Sequence, residues 1–188
     1  VDETADLDDT IGKVIWGKVL NGGQTCVGVD YVMVHESKYE ECIELAKSQV
    51  KKFYGETPEN WHTTPDFCRI INDKNFERLE ETVKTTVKGG AKLELGGEFK
   101  AEERYISPTI LSNVSLDSPI MKEEIFGPIL PILKYKTLDE AISIVQSKHK
   151  PLSLYIFSES KSNIEKILKN TSSGGVVING VVAHLGNP

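Results

Sequence analysis

The side chain best suited to covalent chemistry is a thiol. Asn21-Gly22-Gly23-Gln24-Thr25-Cys26 is a glycine turn that presents one cysteine between a helix-patterned stretch and a strand-patterned one. A thiol on a turn between two rigid elements is held in place yet can still meet a substrate, as a nucleophile must. The competing reading is that a free cysteine fills space as a small buried hydrophobe. A second stretch, Glu123-Glu124-Ile125-Phe126-Gly127-Pro128, sets two carboxylates and an aromatic ring ahead of a Gly-Pro turn. Taken alone, this stretch reads as a Gly-Pro turn entering a buried strand, with Glu123 and Glu124 solvated. Glu94, in Leu93-Glu94-Leu95-Gly96-Gly97, is a third acid beside a glycine turn, and its strand-turn position is read as solvent-facing. Cys42 lies one turn from Tyr39 and Ala46 and reads as core.

These groups need a frame. Leu7, Ile11, Val14 and Ile15 recur at helical spacing, which predicts a helix running toward Leu20, with Asp2, Glu3 and Asp6 placing favourable negative charge in its first turn. Gly22-Gly23 ends that helix, and residues 29–34 read as a strand rich in β-branched and aromatic residues. A capping box from Ser37 to Glu40 opens a helix with Tyr39, Ile43, Ala46, Val50 and Phe53 on one face, ending near Gly55. Residues 56–65 read as a loop and 67–71 as a short extended run; Asp73 then caps a helix bearing Phe76, Leu79, Val83 and Val87, closed by Gly89-Gly90. Strands are expected at 92–95, within 105–114, at 129–133, at 152–157 and at 176–178, with helices after Thr137 and Ser160. The unbroken apolar run at 129–133 predicts burial on both faces, and Pro131 must sit where the ladder needs no donor. Alternating strands and helices imply an α/β fold, a mostly parallel sheet flanked by helices, in one domain over 1–188 with right-handed crossovers.

Net charge is −6, with 27% charged residues and no basic face, which argues against nucleic acid as a partner. Cys26, Cys42 and Cys68 cannot all pair and show no metal spacing, so a reducing, cytoplasmic setting and no metal are expected. No apolar run approaches a membrane span, and Val1-Asp2-Glu3 does not look like a signal peptide. A chain starting with valine inside a helix pattern is read as a piece of something longer.

Asn-x-Gly-Gln-x-Cys ending at Cys26, followed in order by Glu123-Glu124-Ile125-Phe126-Gly127-Pro128, resembles the two signatures of the aldehyde dehydrogenase superfamily. The likeness runs from Val1-Asp2 to Gly186-Asn187-Pro188, and Ser172-Ser173-Gly174-Gly175 with His184-Leu185-Gly186-Asn187-Pro188 is most similar to the class 3, fatty-aldehyde branch. The resemblance implies a catalytic domain, with the cofactor-binding domain and a C-terminal dimerisation arm outside the chain. It implies NAD(P)-dependent oxidation of an aldehyde substrate to an acid through a cysteine thiohemiacetal and thioester, with Cys26 as nucleophile and its backbone N–H at the oxyanion. Glu124 would hold the nicotinamide ribose of NAD or NADP, and Phe126 would pack beside the ring. It further implies a homodimer, and in the fatty-aldehyde branch a membrane tail beyond this chain. Leu-Glu-Leu-Gly-Gly imitates the family's general-base motif, but that glutamate precedes the cysteine in the family, so Glu94 is a decoy and the base lies outside the chain. Cys68 stands where the family usually has glycine. A thiolate just past the negative end of a helix is not favoured by the dipole, so its activation must come from elsewhere. The alternatives are a cysteine hydrolase pairing Cys26 with His35, His62, His149 or His184, and a folded interaction domain without turnover.

Overall fold

Along residues 1–186, the part that the computed structural model describes, helices and strands succeed one another as α1 (Leu7–Val19), β1 (Val32–His35), α2 (Tyr39–Tyr54), α3 (Pro58–Thr63), α4 (Asp73–Lys88), β2 (Lys92–Leu95), β3 (Phe99–Lys100), β4 (Tyr105–Ile106), β5 (Thr109–Ser112), β6 (Ile129–Tyr135), α5 (Leu138–Ser147), β7 (Ser153–Ile156), α6 (Lys161–Asn170) and β8 (Gly175–Ile178). Asn187-Pro188, quoted above for the resemblance, lie outside the described residues.

The apolar run at 129–133 organises the fold. As β6 it lies in the middle of a four-stranded sheet of order β1-β6-β5-β2, parallel to β1 and β5, with β2 antiparallel at the edge. Alternation then sends Leu130 and Ile132 into one core with α1 and α2, and Ile129 and Leu133 into another with α4. Each such fully buried aliphatic side chain contributes about 1.5–3 kcal/mol. Pro131 is the last β6 residue paired with β5, opposite Leu111, and the β1 ladder starts only at Ile132. The missing donor thus falls between the two ladders.

β7 and β8 form a separate parallel pair, and β3 with β4 an antiparallel one. The first two residues link β7 to the main sheet: the Val1 amino group donates to Met33 O (2.9 Å), His35 N donates to Val1 O (3.0 Å), and Asp2 N donates to Phe157 O (3.1 Å).

Several local expectations are corrected. Asp2 is not in the first turn of α1; it is buried, and its carboxylate accepts from Ser158 Oγ, Asn163 Nδ2 and Thr4, while Asp6 caps the helix. Ser37 and Glu40 form no capping box, because His35 Nδ1 accepts from Ser37 N and a short 3-10 turn intervenes before α2. The stretch 56–65 is not all loop: Thr57 and Asn60 cap each other, and α3 buries Trp61. Asn72 rather than Asp73 caps α4.

Candidate active site

α1 stops at Val19, because Leu20 leaves helical geometry and Asn21, Gly22 and Gly23 all take positive φ (54°, 63° and 74°). Asn21 Nδ2 donates to Gln24 O (3.0 Å), and Gly28 N to Thr25 O (2.8 Å), so the connection between helix and strand is folded tightly. Cys26 stands exposed on this turn. Gly23 is required twice over: a Cβ there would lie 2.1 Å from the Gly127 carbonyl oxygen, closer than any real contact. The backbones of the two sequence motifs are therefore pressed together, and the fold joins Cys26 and Glu124 in one region.

The glutamate loop is held by charged side chains from two other elements. Arg78 of α4 donates to Ile125 O (2.7 Å) and more distantly to Glu124 O (3.5 Å), and Ile125 N donates to Asp30 Oδ1 (3.0 Å). Behind Asp30 is Lys18, only 3% exposed, whose Nζ donates to Asp30 O (3.1 Å). Burial lowers the Lys18 ammonium to about 8, while the nearby Asp30 and Glu124 charges oppose the shift. Phe126 adopts φ 53°, a left-handed conformation that costs a non-glycine residue free energy and turns the chain at this point. The Glu124 carboxylate is accessible and meets no donor among the described residues. Partial burial and the Asp30 charge hold it above the ordinary glutamate value, against Lys18 and Arg78.

Lys18, Asp30 and Arg78 escaped the motif reading. Lys18 had a signal, since it continues the stripe Leu7, Ile11, Ile15 one turn further and puts an ammonium on an apolar face. Asp30 and Arg78 had none, because both act on backbone far away in the chain.

Glu94 needs correction as well. Its side chain is only 8% exposed, not solvent-facing; burial alone would raise its carboxyl, but hydrogen bonds from Ser112 Oγ (2.5 Å) and Lys92 hold it below the ordinary value. Cys42 is fully buried, and burial pushes its thiol up to about 12. Cys68 is exposed, with its Cβ beside Gly22. His35 is engaged with Ser37 and Lys136 O, and His62 with Glu103 (2.8 Å). Among the described residues no histidine is hydrogen-bonded to Cys26, and the hydrolase reading gains no geometric support.

Similarity to known proteins agrees with this geometry. The chain is 44% identical to the 4,4'-diaponeurosporen-aldehyde dehydrogenase of Staphylococcus aureus over all of its length and 40% of that protein's. With aldehyde dehydrogenase family 3 member A2 of Mus musculus it shares 43% identity, over 98% of the chain and 36% of the relative. A substrate-bound structure of Staphylococcus aureus AldH superposes with a TM-score of 0.93 at 42% identity, over 100% of this chain and 40% of that one. Lactaldehyde dehydrogenase from Escherichia coli superposes at 0.84 with 28% identity, over 96% and 38%. The chain thus spans about 40% of the length of such relatives. Residues 1–187 match the Aldehyde dehydrogenase family along their whole extent, and with both signatures meeting at Gly23 and Gly127 the chain belongs to that family.

Proposed function

We propose that this chain is the thiol-bearing catalytic domain of an enzyme that oxidises an aldehyde to a carboxylic acid, working with a cofactor-binding domain outside residues 1–188. The observation that carries this reading is the backbone contact of Gly23 with Gly127, which sets an exposed thiol and an uncommitted carboxylate in one region.

Cys26 Sγ, as thiolate, attacks the aldehyde carbon and gives a tetrahedral thiohemiacetal whose oxyanion the Cys26 N–H helps to hold. Loss of the aldehydic hydrogen with its electron pair leaves a thioester on Cys26. Water then cleaves the thioester, releasing the acid and returning the thiol, with its base supplied from outside this chain. A bound nicotinamide supplies the acceptor for that hydrogen and electron pair. Glu124 fits the ribose end of NAD or NADP, since its carboxylate is accessible, unspent and backed by a locked backbone, and Phe126 would lie beside the ring. No glycine-rich phosphate loop occurs in this chain, so the phosphate end belongs elsewhere. One relative, from Mus musculus, is described as dimeric and NADP-preferring, and a structural neighbour from Sinorhizobium meliloti as NAD-dependent. Homodimerisation, a fatty-aldehyde preference and a membrane tail follow from the resemblance, and a cytoplasmic location from three cysteines that cannot all pair, as further parts of the proposal.

The test is aldehyde-dependent reduction of NAD or NADP by the complete enzyme, with Cys26→Ser, Cys42→Ser and Cys68→Ser compared. Removing an enzyme's nucleophile costs on the order of 10⁴-fold or more in kcat, and that loss is expected for Cys26→Ser alone. Near-normal turnover by Cys26→Ser would overturn the reading.

A further inference from the structure

Two polar side chains tie the nucleophile turn to other parts of the fold, and they flank Cys26, one reaching out from the turn and one reaching in. On one side is Gln24. Its Oε1 accepts from Ile71 N (2.9 Å), and its Nε2 donates to Arg69 O (3.0 Å) and to Asn21 O (3.1 Å). The amide therefore occupies the N–H of residue 71 and the C=O of residue 69, as a neighbouring strand would. The groups of Ile70 point the other way: Ile70 N donates to Arg104 O (3.0 Å) and Ile70 O accepts from Arg104 Nε (3.1 Å). The extended segment is thus bonded on one edge by the backbone and guanidinium of Arg104 and on the other by the Gln24 amide.

That segment is a firm anchor. The Arg69 guanidinium donates to Phe67 O (3.1 Å) and His62 O (2.8 Å) and stacks over the Tyr105 ring at 4.8 Å. Gly22 seats directly on it, since a Cβ at 22 would meet Cys68 Cβ at 3.3 Å. On the other side of the thiol, the Tyr155 hydroxyl of β7 donates to Val27 O, the carbonyl next after Cys26. β7 and the 69–71 segment belong to separate parts of the fold, so the turn is gripped from two independent directions.

We infer that Gln24 and Tyr155 are positioning residues that hold the Cys26 turn between them, the amide by bonding the 69–71 segment and the phenol by bonding Val27 O. The inference rests on the proposed role of Cys26. Both residues act through the backbone, and neither need touch substrate. A thioester-forming thiol must meet the carbonyl carbon and the hydride acceptor in one geometry, and a misplacement of about 1 Å can cost on the order of 10²-fold.

The test uses the complete enzyme with Gln24→Met, which keeps the side chain's length but removes all three hydrogen bonds, and Tyr155→Phe, which keeps the ring and removes one. Thermal midpoints, kcat, the KM for NAD(P) and the rate of Cys26 alkylation by iodoacetamide are measured for each. Loss of the Gln24 bonds is expected to lower kcat about 10²-fold, and loss of the single phenolic bond about fivefold, both with KM for NAD(P) unchanged and alkylation of Cys26 altered in the folded protein. Turnover at the original rate in both variants overturns the inference, and so does a parallel change of kcat and KM that tracks a lowered thermal midpoint. Cys26→Ser in the same assay separates the two readings: if it alone is inactive, the nucleophile stands and only the bracket falls, whereas an active Cys26→Ser removes the premise.

Discussion

Two glutamates beside glycine turns sit in opposite states. Glu94, at the β2 edge, looks in sequence like the family's base motif, yet its carboxylate is nearly buried and committed to Ser112 and Lys92. Glu124 looks like an ordinary acid before a Gly-Pro turn, yet its carboxylate is unspent while its backbone is held by Arg78 and Asp30. In one region the side chain is fixed and serves the fold; in the other the backbone is fixed and the side chain is left without a donor among the described residues. What separates them is where the hydrogen bonds go, not the residue type or its neighbours in sequence.

The glycines of the two regions give the sharpest contrast. Gly23 and Gly96 have nearly the same φ (74° and 76°), and a Cβ at either would lie 2.1 Å from a backbone oxygen, that of Gly127 or of Pro108. Gly23→Ala and Gly96→Ala should therefore each cost about 3 kcal/mol, from strained φ and overpacking together. Denaturant unfolding should show two similar losses. In the complete enzyme only Gly23→Ala should also lower turnover per folded molecule, because it alone drives the Cys26 turn off the Glu124 loop. Equal specific activities would show that the contact between the motifs has no catalytic role.

Next in size is the exchange of the acids themselves. Hydrogen bonds to a charged group are worth roughly 1.5–3 kcal/mol, so Glu124→Gln should weaken NAD(P) binding or slow its turnover about 10- to 100-fold. Glu94→Gln should leave both alone and cost about 1 kcal/mol of stability. The difference carries a pH signature. In the proposed role Glu124 would hold ribose as the carboxylate, and its folded-state value is raised, so its advantage over Gln should fade as pH drops through a value above the ordinary ~4.3. A cofactor affinity with the same pH profile in wild type and Glu124→Gln would remove Glu124 from the site.

The residues differ in what they disclosed beforehand. The alternation along β6, the helical face of α2 and the glycine stop after α1 were readable because period and glycine content act locally. The motif order distinguished Glu124 from Glu94, but the burial of Glu94 could not be read, since it depends on Ser112 arriving from the paired strand β5. Arg78 and Asp30 meet the glutamate loop across long stretches of chain through backbone atoms, which leave no pattern in side-chain spacing. Gln24 was visible as a motif residue, though nothing local marks a side chain that bonds like a strand.

Lys18 supplies the most conditional effect, one confined to alkaline pH. The β2 edge contains no counterpart, for Lys92 there is exposed and paired with Glu94. Lys18 is buried, so its ammonium is disfavoured in the folded state and its value falls to about 8 from 10.5. Between those values the unfolded chain binds the extra proton and the folded chain does not, so this group makes stability rise with pH across that window. Below about 8 the charge is retained in both states, and the folded protein bears its full desolvation cost. Cys42 works in the opposite sense above its ordinary value, because its folded-state value is raised to about 12. Lys18→Met isolates the lysine from that opposing thiol: the variant's stability relative to wild type should decline as pH rises from about 8. Urea unfolding of both proteins at several alkaline pH values reads this directly. A difference that does not vary with pH would mean that the Lys18 ammonium keeps its charge in the fold, bound more tightly by Asp30 and Glu124 than its burial implies.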